Sequence, residues 1–251
     1  NGSEQPFFCV HGHEGDVLSF ADLARHLNPE QPFYGLQVQG LDGKQPPYTR
    51  IEDMAAHYIE EIRALQPEGP YLLGGTCFGG MVAFEMAQQL QSQSQGVALL
   101  ALLDSPCPPF KSEDYLDHRL FYPGYFFRFA RLFVQVLRNL LRLRPADQPA
   151  YVLEKAKSAC KLFLGAVHLQ ARRPQDIYKK RVYEANTQAM RNYVPQAYLG
   201  QLTLFLASEP LVRSSHDPRL DWAKLTPNGL EVHMVPGDQD AMLRGPILAE
   251  K

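Results

Sequence analysis

Apolar positions follow two periods along this chain, and the switches between them lay out its elements. Pro6-Phe-Phe-Cys-Val10 is a short apolar run that predicts a buried strand leading into His11-Gly-His-Glu-Gly15. Ser19–Leu27 has helical spacing, and Pro32–Val38 predicts the next strand. Within Ile51–Leu65, the residues Ile51, Met54, Ala55, Tyr58, Ile59, Ile62 and Leu65 line one helical face, and Pro67-Glu-Gly-Pro70 ends it. Tyr71–Leu73 predicts a strand, and Met81–Gln93 a helix carried by Met81, Phe84, Met86, Ala87 and Leu90. Val97–Leu103 is apolar throughout, as a parallel strand buried on both faces must be. Strand signals return at Gly200–Leu206 and Leu230–Val235.

Alternating strands and helices with continuous apolar strands predict an α/β fold: a mostly parallel, doubly wound sheet. In such sheets, ligands bind outside the carboxyl ends of the strands. The alternation breaks between Pro106 and Leu199, where the chain reads as helical and rich in aromatics and Arg/Lys. An interruption of roughly 90 residues exceeds ordinary loops. The expected division is core 1–106, helical insertion 107–199 and core 200–251. Inside the insertion, Tyr125–Leu141 is amphipathic: Arg128, Arg131, Arg138 and Arg142 fall within about 80° at about 100° per residue. Its favoured reading is a core-facing helix with a solvated cationic edge, and a membrane-surface helix or a docking face for an acidic protein would show the same pattern.

Composition narrows the function classes. The chain has 251 residues, 45% hydrophobic and 21% charged, with a net charge of −2. No global field invites nucleic acid or an anionic membrane. The four cysteines, Cys9, Cys77, Cys107 and Cys160, have no C-x-x-C spacing, so neither a metal site nor a disulfide framework is expected. Asn1-Gly-Ser-Glu-Gln-Pro6 carries no signal-peptide pattern, and no apolar run is long enough to span a bilayer. The expectation is a cytoplasmic, reducing setting with no bound cofactor.

The chemistry points to Tyr71-Leu-Leu-Gly-Gly-Thr-Cys-Phe-Gly-Gly80. Gly75, Cys77 and Gly79 fit G-x-[Ser/Cys]-x-G between a predicted strand and a predicted helix, the setting of a nucleophile elbow. The turn is sharp, and glycine leaves room for close backbone. The following helix aims its N-terminal N–H groups at Cys77, which favours a thiolate and later an oxyanion. The bland alternative is a glycine-rich turn with a small buried cysteine.

A thiol nucleophile needs a base, an orienting group and oxyanion donors. Asp104, at the end of the strand after the elbow's helix, has the place of the orienting carboxylate. Oxyanion donors are expected from the backbone N–H of Phe78 and of His13, the latter in the loop after the first strand. The base should be a histidine after the last strand, yet Pro236-Gly-Asp-Gln-Asp-Ala-Met-Leu243 places Gln239 there. His233 reads as a packed strand residue, and neither His216 nor His11 has the expected place.

These residues resemble the thioesterase domains that end non-ribosomal peptide synthetases and polyketide synthases. The resemblance runs over almost the whole chain. It covers Pro6–Gly12, Tyr71–Leu90, Leu99–Ser105, Trp222 within Asp221–Leu225, and Val235–Leu243. The elbow is common to all α/β-hydrolases; the 27 residues from Cys77 to Asp104, the insertion and the Met-Leu ending are more specific. The resemblance implies an α/β-hydrolase fold with Cys77 as nucleophile, Asp104 as triad carboxylate and the insertion as a lid. It implies that an acyl or peptidyl group is taken from the phosphopantetheine thiol of a carrier domain, then released to water or to a nucleophile within the chain. Such carriers tend to be acidic, which suits the Arg edge of the lid.

The chain departs from the family in Cys77, where Ser is commoner, in Gln239, and in a short closing segment after Leu243. Gln cannot accept and return a proton at neutral pH. Three explanations of Gln239 stand: an engineered replacement that traps an acyl-enzyme, which is favoured, a thiol that suffices with slow turnover, or a degenerate natural domain. Each leads to impaired deacylation and an acyl-Cys77 that accumulates. Rival readings are an editing or fatty-acyl thioesterase or esterase of the same fold, and a non-catalytic acyl-binding domain. The abrupt start before the first strand favours an excised domain, expected to be monomeric.

Overall fold

The computed structural model describes residues 2–108, 174–209 and 217–244. Among these, six strands form one sheet in the order β2-β1-β3-β4-β5-β6: β1 (Phe7–Val10), β2 (Phe33–Leu36), β3 (Tyr71–Thr76), β4 (Val97–Leu103), β5 (Leu202–Ala207) and β6 (Leu230–Val235). Every pairing is parallel. The chain winds outward from β1 to β2, then crosses back to β3 and on to β6. The order therefore reverses between β1 and β3, and the crevice above their carboxyl ends is where such a sheet takes a ligand.

The helices are α1 (Ala21–His26), α2 (Ile51–Leu65), α3 (Phe78–Ser92), α4 (Pro174–Asn192), α5 (Pro218–Leu225) and α6 (Gln239–Arg244). α2 packs on α3, and α1 packs on α6. Alternation along the strands feeds both sides. Cys9, Ala101, Leu103, Phe205 and Ala207 join Phe20, Leu23, Met242 and Leu243 in one cluster. Phe8, Val10, Leu100 and Leu102, one residue out of step, are buried opposite it. At about 25 cal/mol per Å² of apolar surface removed from water, this two-sided burial is the main force holding the sheet.

α2 occupies the residues its spacing predicts, and Ile51, Met54, Ala55, Tyr58, Ile59 and Ile62 are its buried face; Leu65, expected on that face, is exposed at the helix's last turn. β2 and β5 are shorter or shifted relative to the sequence reading, Phe33–Leu36 against 32–38 and Leu202–Ala207 against 200–206, and two elements differ at the elbow. β3 runs through Gly74-Gly75 to Thr76 instead of stopping at Leu73, and α3 begins at Phe78 instead of Met81. Low-propensity glycines suggested a long turn there. They persist inside regular structure because neighbouring backbone leaves no room for a Cβ, as the site shows.

The chain divides into two compact units, residues 1–110 with 177–251, and residues 111–176. Residues 177–199, read from sequence as part of the insertion, thus belong with the sheet. The reason is burial of one face of α4: Val182, Ala185, Asn186, Ala189 and Met190 are buried, and the Tyr193 hydroxyl donates to Glu85 Oε2 at 2.8 Å. Helical spacing identifies a helix without saying what it packs on. The Arg-edged segment Tyr125–Leu141, with Arg128, Arg131, Arg138 and Arg142, lies outside the described residues, as do Cys160 and His216. Among the described residues, no helix is long and apolar enough to cross a membrane, and no cluster of His, Cys, Asp or Glu is arranged to hold a metal.

Candidate active site

Cys77 sits between β3 and α3 at φ 51° and ψ −116°, a region that non-glycine residues rarely occupy. Strain of this kind costs about 1–3 kcal/mol and persists only where the surroundings enforce it. Here they do. The Cys77 N–H donates to the Leu103 carbonyl at 2.9 Å, and the Gly80 N–H donates to the Cys77 carbonyl at 3.2 Å. A Cβ on Gly75 would lie 2.2 Å from the Gly79 carbonyl oxygen. One on Gly79 would lie 2.1 Å from the His11 oxygen and 2.5 Å from that of Val10. Both obstacles are backbone and cannot rotate away, so the elbow requires glycine at 75 and 79.

The Cys77 thiol is partly exposed, and burial pushes it up to about 11. The Phe78 N–H bonded to it pulls in the other direction, and the nearby Asp104 carboxylate adds to the rise. This corrects the expectation of a thiolate favoured by the helix N-terminus: desolvation outweighs the donor, and the resting sulfur is a thiol at neutral pH.

Asp104 follows β4, the neighbour of β3, with Thr76 and Leu103 in register. Its backbone is left-handed at φ 48°, and its N–H donates to the Phe205 carbonyl at 2.8 Å. Its Oδ1 accepts the Ala207 N–H at 3.3 Å. Burial raises its carboxyl above the usual range, and the Ala207 bond opposes that. The next residue is pinned from α5: the fully buried Trp222 donates its Nε1–H to the Ser105 carbonyl at 3.1 Å while its ring lies 4.9 Å from Phe84. Trp222 therefore braces the segment that carries Asp104.

Gln239 opens α6, where its Nε2 donates to Thr76 Oγ1 at 2.8 Å. Thr76 is buried and immediately precedes Cys77, so the loop after β6 is tied to the elbow itself. The Ala241 N–H on Asp238 Oδ1 at 2.8 Å and the Gly237 N–H on Ser208 Oγ at 3.1 Å hold that loop.

His13 lies in the loop after β1. Its ring meets the Phe78 ring edge-on at 5.6 Å, which brings the two expected oxyanion residues side by side. His11 is fully buried; its Nδ1 is 2.6 Å from the Gly12 carbonyl and its Nε2 is 2.9 Å from the Tyr58 hydroxyl. Burial lowers its pKa to about 4, so it is neutral and structural. His233 stacks on Phe205 at 5.1 Å and pairs with Glu231 at 2.9 Å on β6.

The structure thus gathers Cys77, Phe78, Asp104, His13 and, through Thr76, Gln239 at one end of the sheet. Sequence reasoning did not single out Thr76, Asn186 or Thr187. The last two reach the site from α4: Asn186 Nδ2 donates to the His13 carbonyl at 2.9 Å, and Thr187 Oγ1 lies 3.0 Å from His13 Nε2. Their separation of more than 170 residues from His13 leaves no local signal.

A parallel doubly wound sheet with a strained strand-to-helix turn at the end of β3 is the α/β-hydrolase architecture. The family model described as "Thioesterase domain" matches residues 5–250, and the chain belongs to that family. Over 105 residues, 42% of this chain, it is 46% identical to malpibaldin synthetase of Mortierella alpina. Over 102 residues it is 44% identical to polyketide synthase PksR of Bacillus subtilis strain 168. These matched segments are only 2% and 4% of those proteins. Among solved structures, the four-domain nonribosomal peptide synthetase AB3403 superposes with a TM-score of 0.71 at 27% identity, covering all of this chain and 19% of that one. The NocB thioesterase domain from the nocardicin cluster superposes at 0.66 and 23% identity, over 99% of this chain and 90% of that one, a likeness of fold.

Proposed function

We propose that this domain releases acyl or peptidyl chains from a carrier protein through an acyl-enzyme on Cys77, and that Gln239 slows the second half of the reaction. The observation that carries the reading is the enforced left-handed turn at Cys77, with the Phe78 N–H on its sulfur and Asp104 one strand away. Strain held this firmly at a cysteine is the mark of a displayed nucleophile.

In the first half, the Cys77 thiol gives its proton to solvent, and the thiolate attacks the thioester carbonyl carbon. The carbonyl oxygen takes the negative charge, and the Phe78 and His13 N–H groups stabilise it. The oxyanion collapses, the carbon–sulfur bond to phosphopantetheine breaks, and that sulfur leaves as a thiolate and is then protonated. One thioester replaces another, so little free energy separates the two sides. In the second half, water or a nucleophile within the acyl chain attacks acyl-Cys77. That attacker needs a base, and a primary amide is not one. Gln239, bonded to Thr76 Oγ1, offers no group that can take that proton. Acyl-Cys77 therefore accumulates.

Domains similar to this one occur in synthetases, which makes a carrier domain bearing phosphopantetheine the natural donor. Offering the same acyl group on a carrier thioester and as a simple ester tests this. Faster Cys77 acylation from the carrier is expected, and a preference for the free ester refutes the carrier reading and favours an esterase of the same fold. The high thiol pKa and Gln239 together favour one second reading, an acyl-binding domain without chemistry. Its mark is a Cys77 that no thioester acylates.

A further inference from the structure

The loop after β1 is clamped peptide by peptide, and the clamp on its far side comes from α4. The Gly12 carbonyl accepts the Gly15 N–H at 3.1 Å and faces His11 Nδ1 at 2.6 Å. A carbonyl oxygen can only accept, so Nδ1 carries the hydrogen there; Nε2 lies 2.9 Å from the Tyr58 hydroxyl, which also donates to the Gln37 carbonyl at 3.3 Å. Because the peptide is planar and trans, fixing the Gly12 C=O fixes the opposite direction of the His13 N–H. The next peptide is fixed from elsewhere. Asn186 Nδ2 donates to the His13 carbonyl at 2.9 Å.

Thr187 holds the same residue by its ring. The Thr187 hydroxyl donates its one hydrogen to the Tyr183 carbonyl at 2.8 Å, so toward His13 Nε2 at 3.0 Å it accepts. The His13 ring is thereby set with Nε2 protonated, its face closed by Tyr183 at 4.4 Å and Phe78 at 5.6 Å. α4 also presses on the end of the loop: a Cβ on Gly15, which sits at φ 89°, would lie 2.9 Å from Val182 Cγ1.

Asn186 is fully buried, and among the described residues its Oδ1 has no hydrogen-bond partner. Leaving a buried amide acceptor unpaired is destabilising, and an aliphatic residue of the same shape would avoid it. Among the described residues, the bond Asn186 makes is the one to the His13 carbonyl.

We infer that Asn186, seconded by Thr187, is a positioning residue that sets the His13 N–H as an oxyanion donor to the acyl carbonyl on Cys77. This rests on the reading of Cys77 as nucleophile and of His13 and Phe78 as donors. Neither α4 residue touches the reacting atoms; both act through His13. Misplacing a donor by a fraction of an ångström weakens the bond to the developing oxyanion while leaving the sulfur itself untouched.

The test compares two reactions of the same sulfur in the full chain. One is acylation by an N-acetylcysteamine thioester, which builds an oxyanion; the other is alkylation by iodoacetamide, which builds none. Both are followed by intact mass. Asn186→Leu should slow acylation about 10- to 100-fold and leave alkylation unchanged. Thr187→Val, on a half-buried position and nearly isosteric, should slow acylation by a smaller factor in the same selective way, and it serves if Asn186→Leu does not fold. Acylation at the parent rate, or equal slowing of both reactions, overturns the inference. Failure of the parent chain to acylate at all refutes the nucleophile reading and takes this inference with it.

Discussion

On the proposed mechanism, replacing Gln239 with His supplies the base the second half of the reaction needs. Gln239 reaches Thr76 Oγ1 at 2.8 Å, so a ring at this position lies within one residue of the Cys77 backbone and shares the strand ends with Asp104. With the thiol at about 11, roughly one sulfur in ten thousand is ionised at pH 7. A histidine near its ordinary pKa of about 6.5 takes that proton, and in deacylation it takes one from water. A positioned base contributes about 10²- to 10⁴-fold, or about 3–5 kcal/mol of barrier. Gln239→His should therefore speed decay of acyl-Cys77 by about 10²- to 10⁴-fold. The assay loads Cys77 with an acyl thioester, removes excess donor, and follows loss of the adduct by intact mass beside appearance of free acid. Adding Asp104→Asn to the His variant should remove most of the gain, because the ring loses its orienting partner. Equal decay rates in parent and Gln239→His chains would refute the assignment of position 239.

Three further outcomes follow from the geometry. Acylation of Cys77 in the parent chain should rise about tenfold per pH unit from pH 7 to about 10, because the thiol titrates near 11 and only its ionised form attacks; a flat profile across that range contradicts the raised pKa. Asp104→Asn should stabilise the fold at pH 7: a carboxyl whose folded pKa is raised costs stability once ionised, and the cost fades as pH falls toward the unfolded value of about 3.9. The gain is read as a higher Tm by calorimetry at pH 7, shrinking toward pH 4. Gly79→Ala should destabilise by about 3 kcal/mol, since its Cβ would lie 2.1 Å from the His11 oxygen; urea unfolding with an unchanged midpoint would contradict the close approach.

Where one periodic signal decided an element, the sequence reading and the structure agree: α2 over Ile51–Leu65, β4 over Val97–Leu103 and β6 over Leu230–Val235 have the same bounds in both. The glycines of the elbow misled in extent. Gly74, Gly75, Gly79 and Gly80 lower strand and helix propensity locally, yet backbone crowding makes Gly75 and Gly79 obligatory within β3 and α3. α5 and α6 were not assigned from sequence, being eight and six residues long, too short for a period to show. Cys77, Asp104 and Gln239 were legible because a strand end precedes each of their turns. The charge state of Cys77 was not, because desolvation depends on what surrounds the sulfur and outweighs the helix N-terminus. Thr76, Asn186 and Thr187 were invisible for a related reason: their partners are far away in sequence and their residue types are common.

The central claim is that Cys77 forms an acyl-enzyme which persists because Gln239 supplies no base. Intact mass after incubation with an acyl thioester, beside a Cys77→Ala control, addresses it directly. The account predicts one acyl group per chain, absent in the control and outlasting removal of the donor. Steady release of free acid with no adduct on Cys77, or the same adduct in the Cys77→Ala chain, would contradict it.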